Sequence, residues 1–125
     1  MAQPRIGYID ARAEDRERLV KFLQLQQMTP FPMTSVAEAA EARQSVDFDL
    51  LVYAVRHQDQ TPLELVCDLR KISYIPLILI CDFQSPIDRI IALEAGCDEV
   101  VLVPYDAKEL VARMRALIRR SKSPH

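Results

Sequence analysis

Glycine, tryptophan and long apolar runs are scarce or missing in this chain. Its 125 residues include two glycines and no tryptophan. No apolar run approaches the roughly 18 residues that a membrane span requires, so we expect no membrane-spanning helix. Two glycines are too few for the glycine-rich phosphate loop with which α/β proteins bind flavins and other nucleotides. We therefore expect no flavin and no other cofactor.

Cysteine and histidine are also rare, and their spacing matters more than their number. The three cysteines, Cys67, Cys81 and Cys97, form no CxxC pair, which is typical of free thiols in a reducing compartment. We predict that all three are small buried side chains. His57 and His125 make no metal-ligand spacing, so no metal site is expected.

Charge and the N-terminus limit the protein's partners and location. The formal net charge of -2 argues against binding of nucleic acid by bulk electrostatic attraction. The residues Met-Ala-Gln-Pro-Arg lead directly into a predicted strand and do not resemble a signal peptide. We expect a cytoplasmic domain that binds neither nucleic acid nor a membrane.

Short apolar runs alternate with amphipathic stretches along the whole chain. Strands are predicted at 6–9, 31–34, 50–55, 77–81 and 100–103, and helices at 14–27, 36–44, 62–72, 86–96 and 107–120. Such β-α units in series require parallel strands and helices on both faces of the sheet. The predicted fold is α/β, a flavodoxin-like (βα)5 three-layer sandwich with a central five-stranded parallel sheet. It covers residues 1–120, and 121–125 are a tail or the start of a linker.

Residues with known positional preferences support these elements. Pro30 and Pro32 place the second strand at a sheet edge, because proline has no N–H for the ladder. Gly96 is a natural end for the fourth helix. Residues that cap helix N-termini precede four of the predicted helices: Ser35, Thr61, Ser85 and Asp106.

The last third of the chain carries a family resemblance. The segments are Leu93-Glu-Ala-Gly-Cys-Asp-Glu-Val100, Pro104-Tyr-Asp106 and Glu109-Leu-Val-Ala-Arg-Met-Arg-Ala-Leu-Ile-Arg-Arg120. In this order they resemble the end of bacterial response-regulator receiver domains, above all those of OmpR/PhoB winged-helix transcription factors. The resemblance extends over nearly the full length. It implies transfer of a phosphoryl group from a histidine kinase to an aspartate at a strand end.

That chemistry needs a carboxylate nucleophile, acidic residues that hold Mg²⁺, a hydroxyl group and a lysine that neutralises phosphoryl charge. The family has two acids after the first strand, the nucleophile after the third, Thr or Ser after the fourth and lysine after the fifth. The matching positions hold, in chain order, Asp10, Ala11, Ala54, Cys81 and Val103. Val100 replaces the aromatic residue of the family's switch. The resemblance thus implies a degenerate phosphorylation site, hence a pseudo-receiver that is not an enzyme.

Other residues could restore an acceptor. The acids that could approach the altered site are Glu14, Asp15, Asp59 and Asp82. Each is more simply interpreted as a solvated charge of a loop or helix start. Cys81 is a poorer nucleophile still, because no histidine lies near it in sequence to activate the thiol.

The region around the fifth strand carries two further expectations. The resemblance implies a cis peptide bond before Pro104, and X-Pro is the one bond where cis costs little. We also expect the apolar side chains of Val103 and Ala54 to close the former acidic pocket by hydrophobic contact. The domain would then be held in one conformation.

The resemblance further implies a two-fold dimer face made of the fourth helix, fifth strand and fifth helix. In a homodimer, Arg89 would pair with Glu109 of the partner subunit, and Asp98 with Arg113 of the partner subunit. Exposed pairs contribute only ~0–1 kcal/mol each, so they would set register rather than affinity. Ordinary solvated helix charge is the alternative interpretation. The charged residues at matching positions are Arg89, Glu94, Asp98, Glu109 and Arg113.

Three functional hypotheses follow from these patterns. In the first, the chain is the non-phosphorylatable receiver of an atypical response regulator, which dimerises without phosphorylation and controls a C-terminal DNA-binding domain that regulates transcription. In the second, it is a stand-alone adaptor for another signalling protein, or the receiver of a diguanylate cyclase. In the third, it is an enzyme or a working phosphoacceptor that uses unorthodox residues.

Overall fold

The computed structural model describes residues 2–56 and 60–122. Within them strands and helices alternate strictly. The elements are β1 (Arg5–Asp10), α1 (Ala13–Leu25), β2 (Thr29–Met33), α2 (Val36–Ala42), β3 (Leu50–Ala54), α3 (Pro62–Arg70), β4 (Leu77–Cys81), α4 (Pro86–Ala95), β5 (Glu99–Leu102) and α5 (Ala107–Ser121). All strand pairs are parallel, in the order β2-β1-β3-β4-β5. The predicted flavodoxin-like (βα)5 fold is confirmed.

The sheet separates two apolar layers, because successive side chains of a strand point to opposite faces. Tyr8, Val52 and Ala54 belong to the layer that packs against α1 and α5. Leu51 and Leu79 belong to the layer under α2, α3 and α4. Strands β3 and β4 are therefore covered on both faces, which explains their nearly continuous apolar sequences. No helix in the described part of the chain is long and apolar enough to cross a membrane.

Strand β2 lies at the sheet edge, as its prolines predict. Pro30 and Pro32 stand opposite Ile6 and Tyr8 of β1. The N–H of Thr29 donates to the carbonyl of Pro4 at 2.8 Å, so it points towards β1. Because alternate residues of a strand direct their N–H groups to opposite sides, the nitrogens of both prolines face away from the sheet.

All four predicted N-caps are confirmed. The side chains of Ser35 and Thr61 each accept a bond of 3.2 Å from the N–H three residues later. Ser85 and Asp106 each accept one from the N–H two residues later, at 3.2 and 2.8 Å. Gly96 follows α4 with a φ of 123°, a conformation that side-chain-bearing residues rarely adopt. The local signals for helix ends are therefore the correct ones.

Several element boundaries differ from the prediction. Helix α1 ends at Leu25 instead of Gln27, because Gln27 turns to a φ of 63° and the N–H of Met28 bonds back to the carbonyl of Leu23 at 3.1 Å. Strand β2 begins two residues earlier than expected, because its pairing with β1 reaches Thr29. Strand β5 begins one residue earlier, because its pairing with β4 reaches Glu99. Helices α2 and α3 are shorter than predicted by two residues each.

Candidate functional site

The carboxyl ends of β1 and β3, with the loop after β5, surround a pocket of about 480 Å³. Asp10 and Ala54 are Cα partners in neighbouring strands, and Val103 follows β5. These three residues line the pocket together. The structure therefore brings three of the five predicted site positions into one place.

The other two predicted positions lie elsewhere. Ala11 is exposed in the loop after β1. Cys81 is fully buried in the opposite layer of the core, with Leu65 and Ala92. Burial raises the pKa of the Cys81 thiol to about 11. The thiol is therefore protonated near neutral pH and is not an activated nucleophile.

Asp10 is buried, and its carboxylate is already bonded within the chain. Oδ2 accepts a hydrogen bond of 2.6 Å from the hydroxyl group of Tyr8, and Oδ1 accepts one of 2.9 Å from the backbone N–H of Arg12. Burial and the bond to Asp10 hold the pKa of Tyr8 above its usual range, so the phenol remains a donor. Ala11 and Ala54 offer no side-chain oxygen, so these positions do not fit the octahedral oxygen set of Mg²⁺.

The expectation that Val103 and Ala54 close the pocket is wrong. Both side chains pack at its edge, but they are too short to fill the space. The opposite wall comes from α1, through Leu19 and Phe22, and from Tyr105 in the loop before α5. An open pocket of about 480 Å³ remains among these side chains. The peptide bond between Val103 and Pro104 is cis, as the resemblance implies.

The pocket contains charged groups of both signs. Asp15 pairs with Arg18 at 3.3 Å and with Arg12 at 3.9 Å. Arg56 directly follows Val55 at the end of the β3 segment, and its Nη1 atom is buried. Among the described residues, this Nη1 has no hydrogen-bond partner. Burial raises the pKa of Tyr105, and the positive charge of Arg56 partly opposes that shift.

The predicted dimer face exposes large aliphatic side chains. Ile87 and Ile90 of α4 are 64% and 53% exposed, and Leu102 of β5 is 44% exposed. Ile91 and Leu93 on α4 are more than a third exposed as well. Four such residues on a ten-residue helix are unusual for a surface that faces only water.

Most of the charges on this face already have partners within the chain. Arg113 pairs with Glu99 and, at 2.8 Å, with Glu109. Oδ2 of Asp98 accepts bonds of 2.9 Å from Arg70 and from the N–H of Leu77. A pair across a dimer would therefore replace or extend these contacts.

Arg89 and Glu94 are exposed on α4. Arg89 borders the same groove as Glu109 and Arg113, so one chain presents both signs of charge along this face. The roles of Glu99 and Arg70 were missed by the sequence analysis, since nothing in the sequence near either residue indicates a partner.

Comparison with known proteins identifies the type of domain. No protein-family model matches the chain. It is 30% identical over 118 residues to the Transcriptional regulatory protein CpxR homolog of Haemophilus influenzae, in an alignment that covers 93% of this chain and 51% of that protein. It is 29% identical to the receiver domain of the TMAO respiratory system response regulator TorR. The two structures superimpose with a TM-score of 0.82, over 94% of this chain and 98% of that one. The chain is a response-regulator receiver domain.

A second structure shows how well the receiver's fold is kept. A two-component response regulator from Clostridium difficile superimposes with a TM-score of 0.85 at 22% identity, over 97% of this chain and 100% of that one. The chain spans about half the length of the curated relatives it matches. The comparison therefore covers a receiver, and not the rest of those longer proteins.

The described acids that could replace the phosphoacceptor do not lie together in the structure. Asp15 lines the pocket but is engaged with two arginines, and Glu14 is exposed at the start of α1. Asp82 borders a different groove, with Val55 and Leu65. Asp59, His57 and His125 lie outside the described residues. No group of three metal-ligating side chains occurs within residues 2–56 and 60–122.

The cysteines provide a direct test of burial in the layer under α2, α3 and α4. Cys81 and Cys97 are buried, and burial raises the pKa of each thiol to about 11. Cys67 on α3 is exposed, so the prediction that all three are buried is wrong for this residue. It lies on the outer surface of its helix, whereas Leu65 and Val66 are buried.

Because thiolates react and thiols do not, we expect an aromatic disulfide reagent at about pH 8 to label Cys67 alone in the native protein. Absorbance should report one equivalent, and three in denaturant. Two or more rapidly reacting native thiols, or labelling that persists in Cys67→Ser, would contradict this assignment.

Proposed function

We propose that this receiver signals without phosphorylation, by pairing with a second copy of itself and so positioning a DNA-binding domain in a longer protein. The single observation that carries the proposal is Ala54 at the end of β3, where the family has its phosphoacceptor. A methyl group cannot form an acyl phosphate. Val103 likewise supplies no charge for a phosphoryl group, and the neighbouring oxygens of Asp10 are engaged.

The α4–β5–α5 face, defined by α4, β5 and α5, supports pairing. Its aliphatic side chains are exposed beside charged residues of both signs, which suits a self-complementary two-fold contact. The apolar groups would supply affinity when buried, and Arg89, Glu94 and Asp98 would set the register. The existing pairs of Arg113 hold its guanidinium in place at the edge of this face.

Ile90 offers the sharpest test of the pairing. We expect the native chain to dimerise without any phosphodonor, and Ile90→Asp to weaken the dimer at least about ten-fold, because a buried apolar contact becomes an unpaired charge. Sedimentation across a concentration series measures the effect. Leu25→Asp is the matched control, since Leu25 is 79% exposed on α1, outside the face.

Two outcomes would contradict the proposed pairing. One is a native chain that stays monomeric at every concentration, and the other is an equal effect of Ile90→Asp and Leu25→Asp. Acetyl phosphate with Mg²⁺ forms a third arm, and we expect neither a mass increase nor a change in the dimer constant. A phosphoryl adduct on a carboxylate would show that an unorthodox acceptor works. Ile90→Asp is preferable to Arg113→Asp, which would also remove two ion pairs within the chain.

The output of the domain is proposed from the relatives. The Haemophilus relative is named a transcriptional regulatory protein, and the chain matches 51% of it. A receiver of this kind would control transcription through the remainder of such a protein. A stand-alone adaptor, or a diguanylate cyclase receiver, would use the same face on a different partner. The coding sequence after His125 separates these cases at once.

A further inference from the structure

The pocket at the ends of β1 and β3 has features that a phosphorylation site does not need. Three aromatic rings, Tyr8, Phe22 and Tyr105, contribute to its wall. Leu19 and Val103 add aliphatic surface. Its volume of about 480 Å³ lies within the roughly 300–1,000 Å³ typical of small-molecule sites.

The pocket wall also carries a guanidinium group without a counter-ion among the described residues. Arg56 is partly buried and lines the pocket. The carboxylates nearby are engaged by other groups, because Asp10 accepts bonds from Tyr8 and from the N–H of Arg12. Asp15 is engaged by Arg12 and Arg18. A guanidinium at the wall of a partly apolar pocket favours a ligand that brings one anionic oxygen group.

We propose that this pocket binds a small carboxylate with a flat aromatic body. The carboxylate accepts hydrogen bonds from Arg56, because a guanidinium binds an anionic oxygen more strongly than a neutral one. The ring lies among Phe22, Val103 and Tyr105, where apolar and aromatic contacts remove it from water. Binding is non-covalent and needs neither Mg²⁺ nor a phosphoryl group.

A small inorganic anion fits this pocket less well. Phosphate would leave the aromatic wall uncovered, and its second negative charge would stand near Asp10 and Asp15. A neutral aromatic compound would leave Arg56 without its anion. The combination of one guanidinium group and an apolar wall therefore selects for a singly charged aromatic acid.

The position of the pocket connects it to the rest of the receiver. Val103, Pro104 and Tyr105 join β5 to α5 and line the pocket. The same loop leads into the α4–β5–α5 face. The binding site itself does not depend on the proposed pairing, and it can be tested on a monomer.

The test is a titration of the isotope-labelled chain with a naphthalene carboxylate, followed by NMR. We expect saturable shifts of the backbone signals of Phe22, Val103 and Tyr105. The corresponding naphthalene carboxamide should bind at least about ten-fold more weakly, since it loses the charged hydrogen bond. Inorganic phosphate alone should produce no saturable shift at these residues.

Variants identify the anchor. Arg56→Gln should weaken binding of the naphthalene carboxylate at least about ten-fold, whereas Arg56→Lys should retain part of the affinity. Arg43→Gln is the matched control, because Arg43 also has a buried Nε without a partner among the described residues but does not line this pocket. Its affinity should stay within about two-fold of the native value.

A second variant guards against loss of folding. Ala107 is half-buried at the first turn of α5 and lines the pocket, so Ala107→Phe should obstruct it while Arg56 remains. Three results would overturn the proposal: no saturable binding, shifts confined to α4, or equal affinity of the native chain and of a folded Arg56→Gln variant. If Arg56→Gln does not fold, unchanged binding by Ala107→Phe overturns it.

Discussion

Replacing Arg70 by alanine is expected to lower the free energy of unfolding by about 3 kcal/mol, a large part of the stability of a domain this size. The guanidinium of Arg70 joins the end of α3 to two loops. It donates to the carbonyl of Gly96 at 2.5 Å and to that of Ile75 at 2.5 Å, and it pairs with Asp98 at 2.9 Å. Its side chain is only 17% exposed. Alanine would leave these acceptors without their donor, and water would reach them only in part.

Urea denaturation followed by circular dichroism would measure this effect. Arg70→Lys keeps the charge but not the planar set of donors, so we expect it to recover less than half of the loss. Lys71→Ala is the control, because Lys71 is exposed and makes one ion pair, with Asp68 at 3.5 Å. That variant should change stability by no more than about 0.5 kcal/mol. Equal effects of Arg70→Ala and Lys71→Ala would show that the Arg70 contacts contribute little.

Asp10→Ala should also destabilise the protein, by about 2–4 kcal/mol. The substitution leaves the buried hydroxyl of Tyr8 and the N–H of Arg12 without their acceptor. The sign of this change is informative. In a cluster of acids built to hold Mg²⁺, removing one acid in the absence of metal relieves repulsion and stabilises the fold. Here Asp10 is a buried hydrogen-bond acceptor within the chain, so the opposite sign is expected.

Thermal and urea unfolding of Asp10→Ala, Tyr8→Phe and the double variant would test this role. The two residues share one bond of 2.6 Å, so the double variant should lose about 1–2 kcal/mol less than the sum of the single changes. Adding Mg²⁺ should not move the unfolding midpoint of the native chain. A stabilised Asp10→Ala variant, or a midpoint that rises with Mg²⁺, would indicate a retained metal site.

The fold could be predicted in detail because its signals are local. Strand β4 has the predicted bounds Leu77–Cys81, and the caps Ser85 and Asp106 mark their helices correctly. The end of α1 could not be found, because Leu25-Gln26-Gln27 contains neither the glycine nor the proline that usually stops a helix. Gln27 adopts its positive φ because the chain must turn back towards β2.

The site was predicted less completely, because its important contacts join residues far apart in sequence. The resemblance indicated Asp10, Ala54 and Val103, and these three do line one pocket. Nothing in the sequence near Arg56 shows that its Nη1 lacks an acceptor among the described residues. Nothing near Arg70 shows that its guanidinium has several. The volume of the pocket depends on how far α1 stands from the loop before α5. That distance is set by packing, which no local pattern contains.

The prolines of β2 have a consequence for how copies of this domain can associate. Their nitrogens face outward at the sheet edge, so this stretch offers carbonyl oxygens but lacks N–H groups at Pro30 and Pro32. A strand from a second molecule would find acceptors there without the matching donors, and a continuous intermolecular sheet could not grow from this border. The domain is thereby protected from one route to fibres and insoluble deposits.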